Sequence, residues 1–279
     1  MRTDNETLRA LFALPPIKKS ACTSIAVPAM PALVATTGDR EVDAVLWLQN
    51  IVQSGHQAYI DKALEAVKRI ETPMKELENR YAEYLRGSGA HVFQIIFGTM
   101  GFGDLESKSK AAIKKATNRH DALARFGSID ALFADTPAEK ACKKALRGLK
   151  FDSMNFYDGE RARERFEKHL ALVPATIDDC LYVMAYDQSL YDLRNATGDC
   201  GDALSQAYAH KCYCLSMMAH ITPRDRREAL TAFDYLQCEE KDSSEAPDIL
   251  RNLIVTGWGA DFAPPDPSDR TFMKERDNL

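Results

Sequence analysis

Residues 57–86 read QAYIDKALEAVKRIETPMKELENRYAEYLR. Ile60, Ala63, Leu64, Val67 and Ile70 recur at spacings of three and four, as do Met74, Leu77, Tyr81, Tyr84 and Leu85. At 100° per residue each set runs along one side of a helix, so the spacing predicts two neighbouring amphipathic helices, each burying one stripe. Thr72-Pro73 between them supplies a start signal for the second, because proline is pre-set for the first helical turn.

The same logic extends in both directions. Upstream, Val42, Val45, Leu46, Leu48, Ile51 and Val52 spread around most of a helix, which predicts a central, mostly buried element. Downstream, Thr136-Pro137-Ala138-Glu139 combines a capping threonine, a first-turn proline and a glutamate that reaches back. Thr222-Pro223-Arg224-Asp225 and Thr176-Ile177-Asp178-Asp179 are variants of it. Gly55, Gly87, Gly127, Gly148, Gly198 and Gly257 close periodic runs.

The predicted helices are 4–13, 40–54, 57–70, 73–86, 104–126, 137–149, 159–171, 177–195, 202–220, 223–238 and 246–256. The expected fold is all-α, an irregular multi-helix bundle of about ten helices with an extended, proline-containing N-terminal arm. The expected organisation is helix and arm over 1–38, helical halves over 39–150 and 151–258, and a flexible tail over 259–279. The Thr-Pro starts fall at unequal intervals, so no solenoid repeat is expected.

With 279 residues the chain folds without staples. Its cysteines, Cys22, Cys142, Cys180, Cys200, Cys212, Cys214 and Cys238, are odd in number and scattered, which points to a reducing, cytoplasmic setting. The start MRTDNETL is unlike a signal peptide, and the apolar stretch 25–34 is short and broken by Pro28 and Pro31, so no membrane association is expected. Charge is segregated: residues 1–100 balance, 101–170 are net basic and 171–279 strongly acidic, for −5 overall.

FGTMGFGD, residues 97–104, raises the first question of chemistry, since glycines ahead of a helix can cradle phosphate. If HVFQIIF were a strand, Gly98, Gly101 and Gly103 would form the loop and Asp104 would begin the helix. Asp104 would repel phosphate, however, and no Gly-Lys-Ser/Thr follows. The expectation is therefore an aspartate cap behind a hinge or close-packed turn at Gly98, Gly101 and Gly103. The cluster AHKCYCLSMMAH gathers His210, Cys212, Cys214 and His220, yet only His210 and Cys214 share a helical face, too few for a closed metal site. Buried small cysteines are the expectation there.

Two charged segments are candidate contact faces. One is basic, Lys108, Lys114, Lys115 and Arg119 within a run that also holds Lys110 and Arg125, continuing to Lys140, Lys143, Lys144, Arg147, Lys150, Arg161, Arg163 and Arg165. The other is acidic, Asp199, Asp202, Glu239 and Glu240. His91, His120 and Asp121 resemble the His…His-Asp arrangement of the HD-domain phosphohydrolases. That three-residue resemblance implies a divalent metal activating water on a phosphoester.

No Gly-x-Ser-x-Gly, His-Glu-x-x-His or Cys-x-x-Cys motif is present. The leading expectation is a non-enzymatic binding protein with no catalytic residue, metal or cofactor, acting as an inhibitor or adaptor of a nucleic-acid-handling protein complex. Its expected partner is a protein or nucleoprotein complex. The alternatives are an HD-like phosphohydrolase and direct nucleic-acid binding through the basic middle segment.

Overall fold

The computed structural model describes residues 2–18, 30–150, 156–198, 202–240 and 242–257. Among them the regular elements are helical and none is a strand, as the periodicity predicts. Two compact units emerge: Met1–Pro15, Phe133–Tyr191 and Gly201–Leu279 form the first, Pro16–Leu132 and Asp192–Cys200 the second. No described helix is long and apolar enough to cross a membrane.

The second unit is built around α2 (Arg40–Gln53). Its Val42, Val45, Leu48, Ile51 and Val52 are buried, matching the wrap-around pattern. The partners are α3 (Gln57–Val67), α4 (Met74–Gly87) and α6 (Leu105–Phe126). One cluster joins Leu48, Ile51, Val52, Ala63 and Leu105; another joins Val42, Val45, Leu77 and Phe102. Each large aliphatic side chain there contributes about 1.5–3 kcal/mol by leaving water.

Asp39 starts α2 by accepting the Glu41 and Val42 N–H groups. Buried Asp43 gathers the N–H groups of Thr36, Thr37 and Gly38 and the Thr37 hydroxyl, which ties the preceding loop to the first turn. The Thr37 N–H, the largest influence, holds its carboxyl below the usual range. Trp47 Nε1 donates to the Pro31 carbonyl at 2.8 Å and pins the described end of the N-terminal arm. Residues 19–29 of that arm, and the whole expected tail, lie outside the described residues. α5 (Val92–Thr99) and the short α7 (Ile129–Phe133) complete this set.

The first unit contains α1 (Glu6–Leu11), α8 (Pro137–Ala145), α9 (Gly159–Phe166), α10 (Ile177–Asn195) through Tyr191, α11 (Ser205–Met217), α12 (Arg226–Glu239) and α13 (Ala246–Gly257). α11 packs on α8 and α9, and α12 pairs with α13. The Thr136 box forms as read: the Glu139 N–H reaches Thr136 Oγ1 at 3.2 Å, and the Thr136 N–H reaches Glu139 Oε2 at 2.8 Å. Thr176 likewise takes the Asp179 N–H at 3.1 Å.

Two starts differ in detail from the sequence reading. α12 is capped by Asp225, which accepts the Glu228 N–H at 2.9 Å, and so begins after the Thr-Pro pair. Thr72 does not cap α4, because its hydroxyl donates to the Glu41 carboxylate instead.

Candidate functional site

The residues around FGTMGFGD form the most unusual surface of the second unit. His91 starts α5: its Nδ1 accepts the Phe93 N–H at 3.4 Å, while Gln94 Oε1 accepts the His91 N–H at 2.8 Å. α5 then lies against α4 through Gly98, where an added Cβ would stand 3.1 Å from Leu85 Cδ1 and 3.9 Å from the Tyr81 ring. The apolar segment that could have been a strand is thus a helix.

Val92, Phe93, Ile96, Phe97 and Met100 occupy the far side of α5 and its cap, within an arc of about 140°. They are 51–67% exposed, and α5 has no buried residue at all. Together they show about 600 Å² of side-chain surface, the upper end of what a monomer leaves in one patch. Covering it would release on the order of 10–15 kcal/mol before the costs of association.

The turn behind α5 is firmly held. Phe102 is buried among Val42, Val45 and Leu77, its ring stacks on Tyr81 at 5.4 Å, and its carbonyl accepts Gln49 Nε2 at 2.7 Å. Gly101 adopts φ +65°, a left-handed conformation that costs other residues about 1 kcal/mol. Gly103 has a different constraint: a Cβ there would stand 2.8 Å from Met74 Cβ. Gly98 lies inside α5 rather than in the turn. Asp104 caps α6, as expected, by accepting the Ser107 N–H at 3.0 Å.

α6 distributes its cations over two faces. Lys108, Lys115 and Arg119 fall within about 40° of one another. Lys108 is half-buried near the Gly101 turn, and burial pulls its pKa down against the opposing pull of Asp104. Lys115 and Arg119 are exposed. Lys114 lies on another side and pairs with Asp192 at 3.0 Å, as Lys110 does with Glu106 at 2.9 Å. Of the acidic candidates, Asp199 lies outside the described residues, Asp202 precedes α11, and Glu239 and Glu240 end α12.

The remaining candidates are held separately. His91 caps α5, His120 is exposed on α6, and Asp121 accepts Arg125 Nε at 2.9 Å. Among the described residues no three His, Cys, Asp or Glu side chains are placed to hold a metal.

His210 and Cys214 do share a face, fully buried in the first unit. His210 Nε2 donates to the Leu172 carbonyl at 2.8 Å, which leaves Nδ1 to face Cys214 Sγ at 3.8 Å. Phe12 stacks on the imidazole and Phe166 meets it edge-on, both at 4.9 Å. Burial drives its pKa down to about 4 and pushes that of Cys142 up to about 12. A neutral imidazole and protonated thiols fit a packed core, as expected for Cys214. Cys212, expected to be buried with it, is exposed, because it faces the other side of α11.

One small cleft in that unit, lined by Phe12, Glu139, Tyr186 and Lys211 among others, has an internal volume of ≈ 10 Å³, room for about one water. No protein-family model matches the sequence, and neither a curated protein nor a solved structure is detectably similar to it.

Proposed function

We propose that this protein works by macromolecular contact rather than covalent chemistry, and that α5 is where contact is made. The observation that carries the proposal is the exposed arc of Val92, Phe93, Ile96, Phe97 and Met100, mounted on a turn fixed by Phe102. An apolar helix on a rigid seat suits insertion into an apolar groove of a partner protein, where a few aromatic anchors supply most of the binding energy. Lys108 at the rim supplies a charge that orients docking. Within this reading the protein is an inhibitor or adaptor of a nucleic-acid-handling complex, a role supported by the acidic last third of its sequence.

The test is affinity capture from native extract with the wild-type chain and the variant Phe93→Ser/Phe97→Ser. The reading expects a defined partner with the wild type and at least a tenfold loss with the variant. Equal capture by both proteins would refute it.

A further inference from the structure

Several helical cations elsewhere in this chain meet acids one turn away: Arg80 with Glu76, Lys110 with Glu106, Arg125 with Asp121 and Arg163 with Glu167. The outward face of α8 has no such pair among the described residues. Lys140 and Lys144 on α8, and Arg147 in the turn that ends it, follow at i, i+4 and i+7, nearly opposite the buried Ala138, Cys142, Ala145 and Leu146. All three are exposed, and none makes an ion pair or side-chain hydrogen bond with another described residue. The one acid of α8, Glu139, is turned inward to complete the Thr136 box.

α9, which packs beside α8, carries Arg161 and Arg165, with Lys168 at the same spacing just past its end; all three are exposed and pair with no other described residue. Its Glu164 is exposed and pairs with none of them.

Like charges at i, i+4 destabilise a helix by a few tenths of a kcal/mol each. The helix dipole offsets this at the C-terminal ends, but Lys140 and Arg161 stand in or next to the first turn, where it opposes cations. The α8 cations therefore repel one another, and a polyanion laid along this face would relieve that repulsion. No large apolar side chain is exposed on α8 or α9, so this face lacks the apolar centre of a protein–protein interface. It suits instead the polar, strongly charged contact made with a nucleic-acid backbone.

We infer that the α8–α9 face binds nucleic acid through its phosphodiester backbone, without sequence preference, using Lys140, Lys144, Arg147, Arg161, Arg165 and Lys168. This contact is independent of α5.

The experiment is fluorescence anisotropy of the full chain with a labelled mixed-sequence 20-mer, single-stranded and duplex, at 50 and 200 mM salt. Binding at the lower salt that weakens at the higher by about 40-fold for the duplex, or about 20-fold for the single strand, would correspond to three phosphates neutralised, and a steeper loss to more. The variants Lys140→Gln/Lys144→Gln/Arg147→Gln and Arg161→Gln/Arg165→Gln/Lys168→Gln should each bind at least tenfold more weakly with a shallower salt slope. Circular dichroism reports whether they keep their helices. If a triple variant loses helix, Arg147→Gln alone supplies a smaller change of the same sign. The Phe93→Ser/Phe97→Ser variant should bind the oligonucleotide unchanged, which keeps this test apart from that of α5. Absence of binding to either form at 50 mM salt, or equal binding by the folded triple variants, would overturn the inference.

Discussion

At the scale of single residues, His210 links the core of the first unit to pH. Its folded pKa of about 4 lies below the ordinary value of 6.5, so the unfolded chain takes up the proton first. Stability should therefore fall as pH drops below about 6.5, with the loss complete near pH 4 and worth about 3 kcal/mol. Urea unfolding of wild type and His210→Gln across that range checks this. The variant should lack that part of the pH dependence, and parallel curves would contradict the assignment.

Asp179 acts through its hydrogen bonds. Fully buried, it accepts the Asn5 N–H at 2.9 Å, Arg9 Nε at 2.8 Å and the Ala175 N–H at 3.0 Å, fastening the N-terminal segment to α10. Asp179→Asn places an amide against donors and should cost about 3–5 kcal/mol in denaturant unfolding. Asp178→Asn, at a carboxylate open to solvent, should cost about 1 kcal/mol or less.

At the scale of elements, α5 and the turn behind it divide into a part that packs and a part that does not. Gly101→Ala should cost about 1 kcal/mol through backbone strain. Gly103→Ala should cost about 1–3 kcal/mol, because its new methyl meets Met74. Thermal melts of the two variants measure the difference.

Most helices were legible because their apolar residues keep a 3.6-residue period and their caps are local chemistry, as at Thr136 and Asp104. α5 was not. VFQIIF is apolar on nearly every side, and a short run of that kind has no period to separate a helix from a buried strand. Nor does sequence record exposure. The arc of Val92, Phe93, Ile96, Phe97 and Met100 has the composition of a core and lies on the surface. On α6, Lys114 looked equivalent to its neighbours, but its engagement with Asp192 depends on a chain segment far away in sequence.

At the scale of the whole molecule, the sequence yields the all-α class and the central burial of α2, because both follow from summed hydrophobic patterning. The exposed apolar surface arises from how α5 is seated on α4, a tertiary property. The outward cations of α8 were visible in the sequence as part of a basic run, and so was the use of Glu139 in the Thr136 box; which other acids come near these cations depends on tertiary packing that the sequence does not record.

The central claim is that α5 engages a partner protein. A photoreactive amino acid at position 97, with one at Leu170 in the first unit as an exposed control, tests it most directly. Irradiation in native extract should give a discrete adduct with another protein from position 97 and none from position 170. No adduct from position 97, or an adduct only with a second copy of the same chain, would contradict the account.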